Sequence, residues 1–235
     1  SEDAFWQNMK SRKFSKSKKW EILPFYEAAV IKPFGENRTS NNQALFNQFC
    51  QAQKLLYQYK IGIKPVSEIF DIKKLATYYA MLDLLEVRHG MAWHNQRFYF
   101  NPVIGKLEPI AFDCYSKQPE ISPSINDNLA FTTLSESSLK KENFIFYHLF
   151  TDTTFVNHYL EELEEVSNLE FINSVLVEIS KEQFYYDSLL SLEFPLYSYD
   201  NQMIRKSAKA IRDYLPELKL FLQSKTQADL LAIKV

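Results

Sequence analysis

Four glycines, at positions 35, 62, 90 and 105, are spread through 235 residues, and that scarcity constrains the fold more tightly than anything else in the chain. Tight turns, bulges and left-handed backbone lean on glycine. So few argue against a loop-rich β protein and against a phosphate site built as a glycine-rich cradle. The 19 Phe and 14 Tyr supply ample core material for packed helices. The expected fold is therefore α+β and predominantly helical, as one large domain or two small ones. A net charge of -2 gives no long-range pull towards nucleic acid or an anionic membrane. No apolar run approaches the ~20 residues of a membrane span. Cys50 and Cys114 fit no metal-ligand spacing and could pair or stay reduced. The chain opens on Ser1 with no signal peptide, as a processed protein or a piece of a longer one would, so the compartment is not legible.

Residues 1–24 hold a basic cluster, Lys10 to Lys19, between Trp6 and Trp20. It reads as a solvated helix end or loop rather than a phosphate-binding patch. Ala28 to Ile31 suggests a short buried strand leading to Lys32. No glycine precedes it, and the spacing offers no glutamate on the following helix to pair with the lysine, so Lys32 is expected on the surface. Residues 42–59 place Leu45, Phe49, Ala52, Leu56 and Tyr59 on one helical face, with Ser40 or Asn41 as cap and Gly62 and Pro65 as stop signals. Asp71 caps a second helix to about Val87, with Ile72, Leu75, Tyr79 and Leu82 inward and Gly90 as its stop. Residues 114–138, rich in Ser, Pro and Asn, form a long loop. Beyond Lys140 the pattern is helical: Asp152 or Thr151 caps a helix burying Phe155, Tyr159 and Leu163. Another helix runs from about Leu169 to Leu190, interrupted near Phe194-Pro195. A last one spans about Asp200 to Ser224, kinked or split at Pro216. The acidic run EELEEVSNLE is a solvated helix face.

Between the two halves lies HGMAWHNQRFYFNPVIGKLEPIAFD, from His89 to Asp113. Phe98 and Phe100 alternate with Arg97 and Tyr99, the period of a strand. Asn101 to Gly105 contain Pro and Gly and suit a five-residue hairpin loop. Asn95 and Asp113 are each nine residues from Ile104, so a hairpin turning there sets them side by side at its open end. Asparagine and aspartate are hard oxygen ligands, suited to a magnesium that keeps most of its waters and bridges phosphates. Protein kinases use such a pair, an asparagine in the catalytic loop and an aspartate beyond a short hairpin. An Asn and an Asp flanking a hairpin are also ordinary turn and capping residues.

The run LATYYAMLDLLEVRHGMAWHNQRFYFNPVIGKLEPIAFD resembles the core of the CotH family, the spore coat protein H kinases. The resemblance rests on His94-Asn95, Tyr99-Phe100-Asn101-Pro102, Gly105 to Ile110, and Phe112-Asp113. LFTDTTFVNHYLEELEEVS resembles the segment downstream of that core in the same family. The resemblance covers roughly residues 25 to 200, with specific motifs in 75–113. It implies a single protein-kinase-like C-lobe with a central β-hairpin over residues 1–235 and no recognisable nucleotide-binding N-lobe. It further implies an atypical bacterial protein kinase with ATP and magnesium as cofactors, phosphorylating serine on a partner protein at the cell surface, envelope or spore coat. Asn95 and Asp113 would be the metal ligands.

Where a kinase catalytic loop carries its aspartate base, five residues before the asparagine, this chain has Gly90. Asp83 and Glu86 lie too far back on the preceding helix. His89 is adjacent, and an imidazole titrating near neutrality can accept a proton. His94 is the other catalytic candidate, although beside Trp93 it also suits a structural histidine bonded to a carbonyl. His148 and His158, amid aromatics, read as half-buried packing residues. No His-Glu-x-x-His or Gly-x-Ser-x-Gly pattern occurs. Two readings result. One is a magnesium- and ATP-dependent kinase. The other is a pseudokinase-type binding or scaffold module of the spore coat or cell envelope, favoured by Gly90 and the missing lysine motif. A carbohydrate-associated surface domain has only the aromatic richness behind it.

Overall fold

The computed structural model describes residues 30–87, 90, 95–114, 144–196 and 199–232, the side chains of 144–147 and 223–232 excepted. The basic segment 1–24, most of the loop 114–138, His89 and His94 lie outside these residues. The described fold is α+β and predominantly helical. It comprises α1 (Glu36–Ser40), α2 (Gln43–Lys60), α3 (Val66–Ile69), α4 (Ile72–Leu84), β1 (Arg97–Asn101), β2 (Lys106–Ile110), α5 (Phe144–Thr151), α6 (Thr153–Val166), α7 (Leu169–Glu178), α8 (Ser180–Glu193) and α9 (Gln202–Ala232).

The core is made where α4 and α9 both pack against α6. The inward residues expected for α6 are there: Phe155, Tyr159 and Leu163 are fully buried. Phe155 stacks on Tyr159 at 5.8 Å and meets Phe150 and Tyr79 edge-on at 5.3 and 5.9 Å. Aromatic pairs in these orientations add attraction beyond the area they bury. From α4 come Leu75, Ala76, Tyr79, Ala80, Leu82 and Leu84. From α9 come Ala208, Ile211, Leu215, Leu218 and Leu222, stepping three and four residues in turn, a helix–helix seam. Lys219 bonds Glu164 at 2.8 Å, and Arg212 donates to the Ser167 carbonyl, fastening α9 along α6.

Capping explains the boundaries. Asp71 accepts the Lys74 N–H at 3.4 Å at the start of α4. Asp152 accepts the Thr154 and Phe155 N–H groups at 2.9 and 3.1 Å at the start of α6. Its other oxygen takes the Ser67 N–H at 3.3 Å, so one carboxylate ties α3 to α6. For α2 the cap is Asn42, accepting from Leu45 at 3.1 Å, rather than Ser40 or Asn41. The helix ends of α2 and α4 share one hydrogen-bond pattern with a left-handed residue just past the cap. In α2 that residue is Gly62, as the sequence suggests; in α4 it is Glu86, at φ 55°, and not Gly90. Glu86 is held there by the Ser207 hydroxyl at 2.5 Å.

Four further expectations are corrected. Val30 and Ile31 are not in a strand, and Val30 is exposed. Lys32 does find a glutamate on the following helix, Glu36 at 3.4 Å, as a surface pair one turn apart. The stretch from Leu169 is two helices, broken at Ile179, whereas α9 runs through Pro216 unsplit. Proline removes one helical N–H and crowds the carbonyl four residues back, a cost that neighbouring packing can offset.

His148 on α5 is half-buried, its ring edge-on to Tyr59 at 6.2 Å and close over Gly62, where a Cβ would run into the imidazole. Burial lowers its pKa below the ordinary value of 6.5. A histidine whose folded pKa is depressed contributes stability that is present above the unfolded pKa and lost as pH falls towards the folded one. Melting temperature is therefore expected to drop between pH 7.5 and 5.5, a window in which ordinary carboxylates stay ionised. His148→Phe should flatten that dependence in thermal melts; an unchanged slope would remove His148 as its source.

Candidate functional site

The site is organised by the hairpin. Arg97 pairs with Ile110, Tyr99 with Glu108, and Asn101 with Lys106, so Asn101 belongs to β1 and the loop has four residues. The Asn101 carbonyl accepts from Gly105 N–H at 2.9 Å and its side-chain oxygen from Val103 N–H at 3.0 Å. Those two bonds close a loop centred between Val103 and Ile104 rather than on Ile104, which shifts the pairing by one residue. A one-residue change of register matters: continued outward, the ladder sets Asn95 opposite Phe112, not Asp113. The alternation is as expected, with Phe98 and Phe100 against the core and Tyr99 exposed.

The hairpin is pinned to the helices on one side. Phe70 forms a parallel bridge with Leu107, whose carbonyl accepts the Asp71 N–H at 2.8 Å. Lys106 Nζ donates to the Ser67 carbonyl at 2.8 Å. Glu108 takes Lys74 Nζ at 2.6 Å on one oxygen and the Asn101 amide at 2.7 Å on the other. The Lys74 bond first, and the Asn101 bond second, hold the Glu108 carboxyl below its usual range; in turn Glu108 raises the Lys74 ammonium.

At the open end the two arms stay together past the ladder. The Arg97 guanidinium lies over the Phe112 ring, 4.4 Å from its centroid, a cation–π contact. Asn95 is buried, 2 % exposed. Asp113 is exposed and left-handed, at φ 51°. Aspartate tolerates that region better than most side chains, yet it carries strain that surrounding contacts must hold. Those contacts flank it: Phe112 under Arg97 on one side, Cys114 on the other. Cys114 reaches back to α4. A Cβ on Gly90 would stand 2.5 Å from Cys114 Sγ and 3.3 Å from both Leu82 Cδ2 and Tyr78 Oη. Tyr78 donates to the Gly90 carbonyl at 3.0 Å, and burial, before the nearby Cys114, drives its hydroxyl pKa well up. Cys50 and Cys114 are not bridged.

Position 90 is thus filled ground. The space a side chain at position 90 would enter is occupied by a sulfur, a leucine and a phenol. Asn95 and Asp113 offer an amide oxygen and a carboxylate. As a pair they would suit an ion that brings phosphate oxygens and waters with it, not one caged by protein alone. Among the described residues no three His, Cys, Asp or Glu gather to hold a metal.

A second polar centre escapes the sequence reasoning. Asp83, on α4, is buried, and Tyr159 of α6 donates its hydroxyl to it. Burial first, then the Asp83 charge, pushes the Tyr159 pKa well above its usual value. Its sequence signal is a lone acid inside the apolar run Ala80 to Leu85. No helix among the described residues is long and apolar enough to cross a membrane. Comparison with known protein families, curated proteins and solved structures finds no match in any of the three.

Proposed function

We propose that this chain is a kinase-related module of the CotH type that holds a magnesium–nucleotide complex at Asn95 and Asp113 without transferring phosphate. One observation carries the reading: the hairpin leads out of a buried asparagine and into an exposed aspartate held in left-handed backbone at the same open end. Strained backbone of this kind collects at ligand sites. The Asn95 amide and the Asp113 carboxylate would hold the ion, with the Arg97–Phe112 contact and Cys114 flanking Asp113 along the chain. Magnesium, when bound, would neutralise phosphate charge. With Gly90 packed against Cys114, that position supplies no base for a serine hydroxyl.

The scaffold reading, a protein-contacting module of the spore coat or cell envelope that binds no nucleotide, draws on the same closed position 90. Calorimetric titration of the full chain with magnesium and ATP separates them. The proposal expects saturable binding that needs the metal and weakens about tenfold or more in Asp113→Asn. Asparagine tolerates the same backbone region, so the fold is kept. Binding that ignores Asp113→Asn sinks the site, absent binding leaves the scaffold, and phosphate transfer to serine would overturn the non-catalytic part.

A further inference from the structure

The helix α8 is built inside out. Not one of its residues is buried. Its half-buried positions are polar, Gln183 and Asp187, one helical turn apart. Gln183 accepts from the Asn201 amide at 3.0 Å. Its large apolar side chains point away: Phe184 is 78 % and Leu192 81 % exposed, and Tyr185, Tyr186 and Leu189 are also in solvent. Tyr185, Leu189 and Leu192 follow at steps of four and three, one stripe down the helix, with Glu182 a turn before it and Glu193 a turn after Leu189. Contiguous apolar surface of this kind marks an interaction site.

Charge selects the occupant. Residues 161–200 contain ten Asp or Glu against the single Lys181, in a chain whose whole net charge is -2. Exposed Glu182 and Glu193 rim the stripe. A second copy laid along it would bring acid to acid, and an anionic membrane or nucleic acid would be repelled. The four-and-three spacing fits a helix lying in register along α8. We infer that α8 is the docking face for a basic amphipathic helix of a partner protein, with leucine or aromatic side chains on the Tyr185–Leu192 stripe and lysine or arginine against the glutamates. This surface uses none of the residues of the Asn95–Asp113 site, so it can be tested without reference to nucleotide.

The probe is a fluorescein-labelled 18-residue helix of leucine and lysine, monitored by anisotropy with the full chain. Binding is expected, weakened about tenfold or more by Leu189→Ser/Leu192→Ser, and strongly reduced by raising salt, which screens surface charge. Both leucines are exposed, so the double variant should keep its fold, which circular dichroism checks. A glutamate version of the peptide should not bind. Equal binding of the two peptides, or binding blind to the leucine substitutions, overturns the inference. So does a dimer in sedimentation that those substitutions dissolve, which gives the face to a second copy. Binding seen only after residues 1–24 are deleted would assign it to the chain's own Lys10–Lys19 cluster instead.

Discussion

Gly90→Asp should cost about 3–5 kcal/mol of stability, the range for leaving a charge buried without a partner, and should yield no kinase activity. Under the kinase-related proposal, an acid at position 90 is the obvious attempt at introducing a catalytic base. Here it drives a Cβ to 2.5 Å from Cys114 Sγ and buries a carboxylate against Leu82 and the Tyr78 phenol. Two variants separate the steric part from the charge. Gly90→Ala should lose about 1–3 kcal/mol by overpacking, and adding Cys114→Ala should recover most of that, because the sulfur is the nearest obstacle. Urea denaturation of the wild type, Gly90→Ala, Cys114→Ala and the double variant gives the coupling directly. Additive losses would mean that Cys114 does not fill the space and that position 90 is open to a larger side chain.

Phe155→Ala is expected to destabilise by about 3–5 kcal/mol, the usual range for emptying a buried aromatic site. Its ring stands between Phe150, Tyr159 and Tyr79, fully buried. Backbone caps at both ends of α6 leave little freedom for the helix to collapse into the void. Tyr159→Phe keeps the shape and removes only the hydroxyl that Asp83 accepts, so its loss should be smaller, about 1–3 kcal/mol. The order of the two in denaturant midpoint is the test. A larger loss in Tyr159→Phe would make the Asp83 contact, rather than aromatic packing, the centre of the core.

Local signals were the legible part of this fold. Asp71 and Asp152 cap where acids before apolar periodicity should, and Phe155, Tyr159 and Leu163 face inward as their spacing requires. The hairpin, too, was readable from alternation and a Pro–Gly turn. Its register was not, because it depends on the Asn101 side chain closing on Val103, a choice between two turn geometries that composition does not rank. The stop of α4 was misread for a related reason. Glycine is favoured in left-handed backbone, yet Glu86 occupies it through a bond to Ser207, 121 residues away. The seam of α9 was hidden because Ala208 and Ile211 interleave with charged residues. At the candidate site, the spacing that set Asn95 beside Asp113 shifts by one residue in the observed register, which places Asn95 opposite Phe112. What closes position 90 was not legible either, since Cys114 meets Gly90 only after the hairpin has folded back.

The Tyr159–Asp83 bond spans 76 residues, and that distance sets an order of events when the protein is made. α4 leaves the ribosome with Leu75, Tyr79 and Leu82 facing water and an acid among them. Its partner α6 is still unwritten. At about 5–20 residues per second, the wait is roughly 4–15 s, long compared with helix formation and collapse. The nascent chain must keep a bare apolar flank soluble throughout, and the ionised Asp83 is well placed to do so. The same carboxylate that must be matched in the finished core keeps the unfinished one wet until Tyr159 arrives.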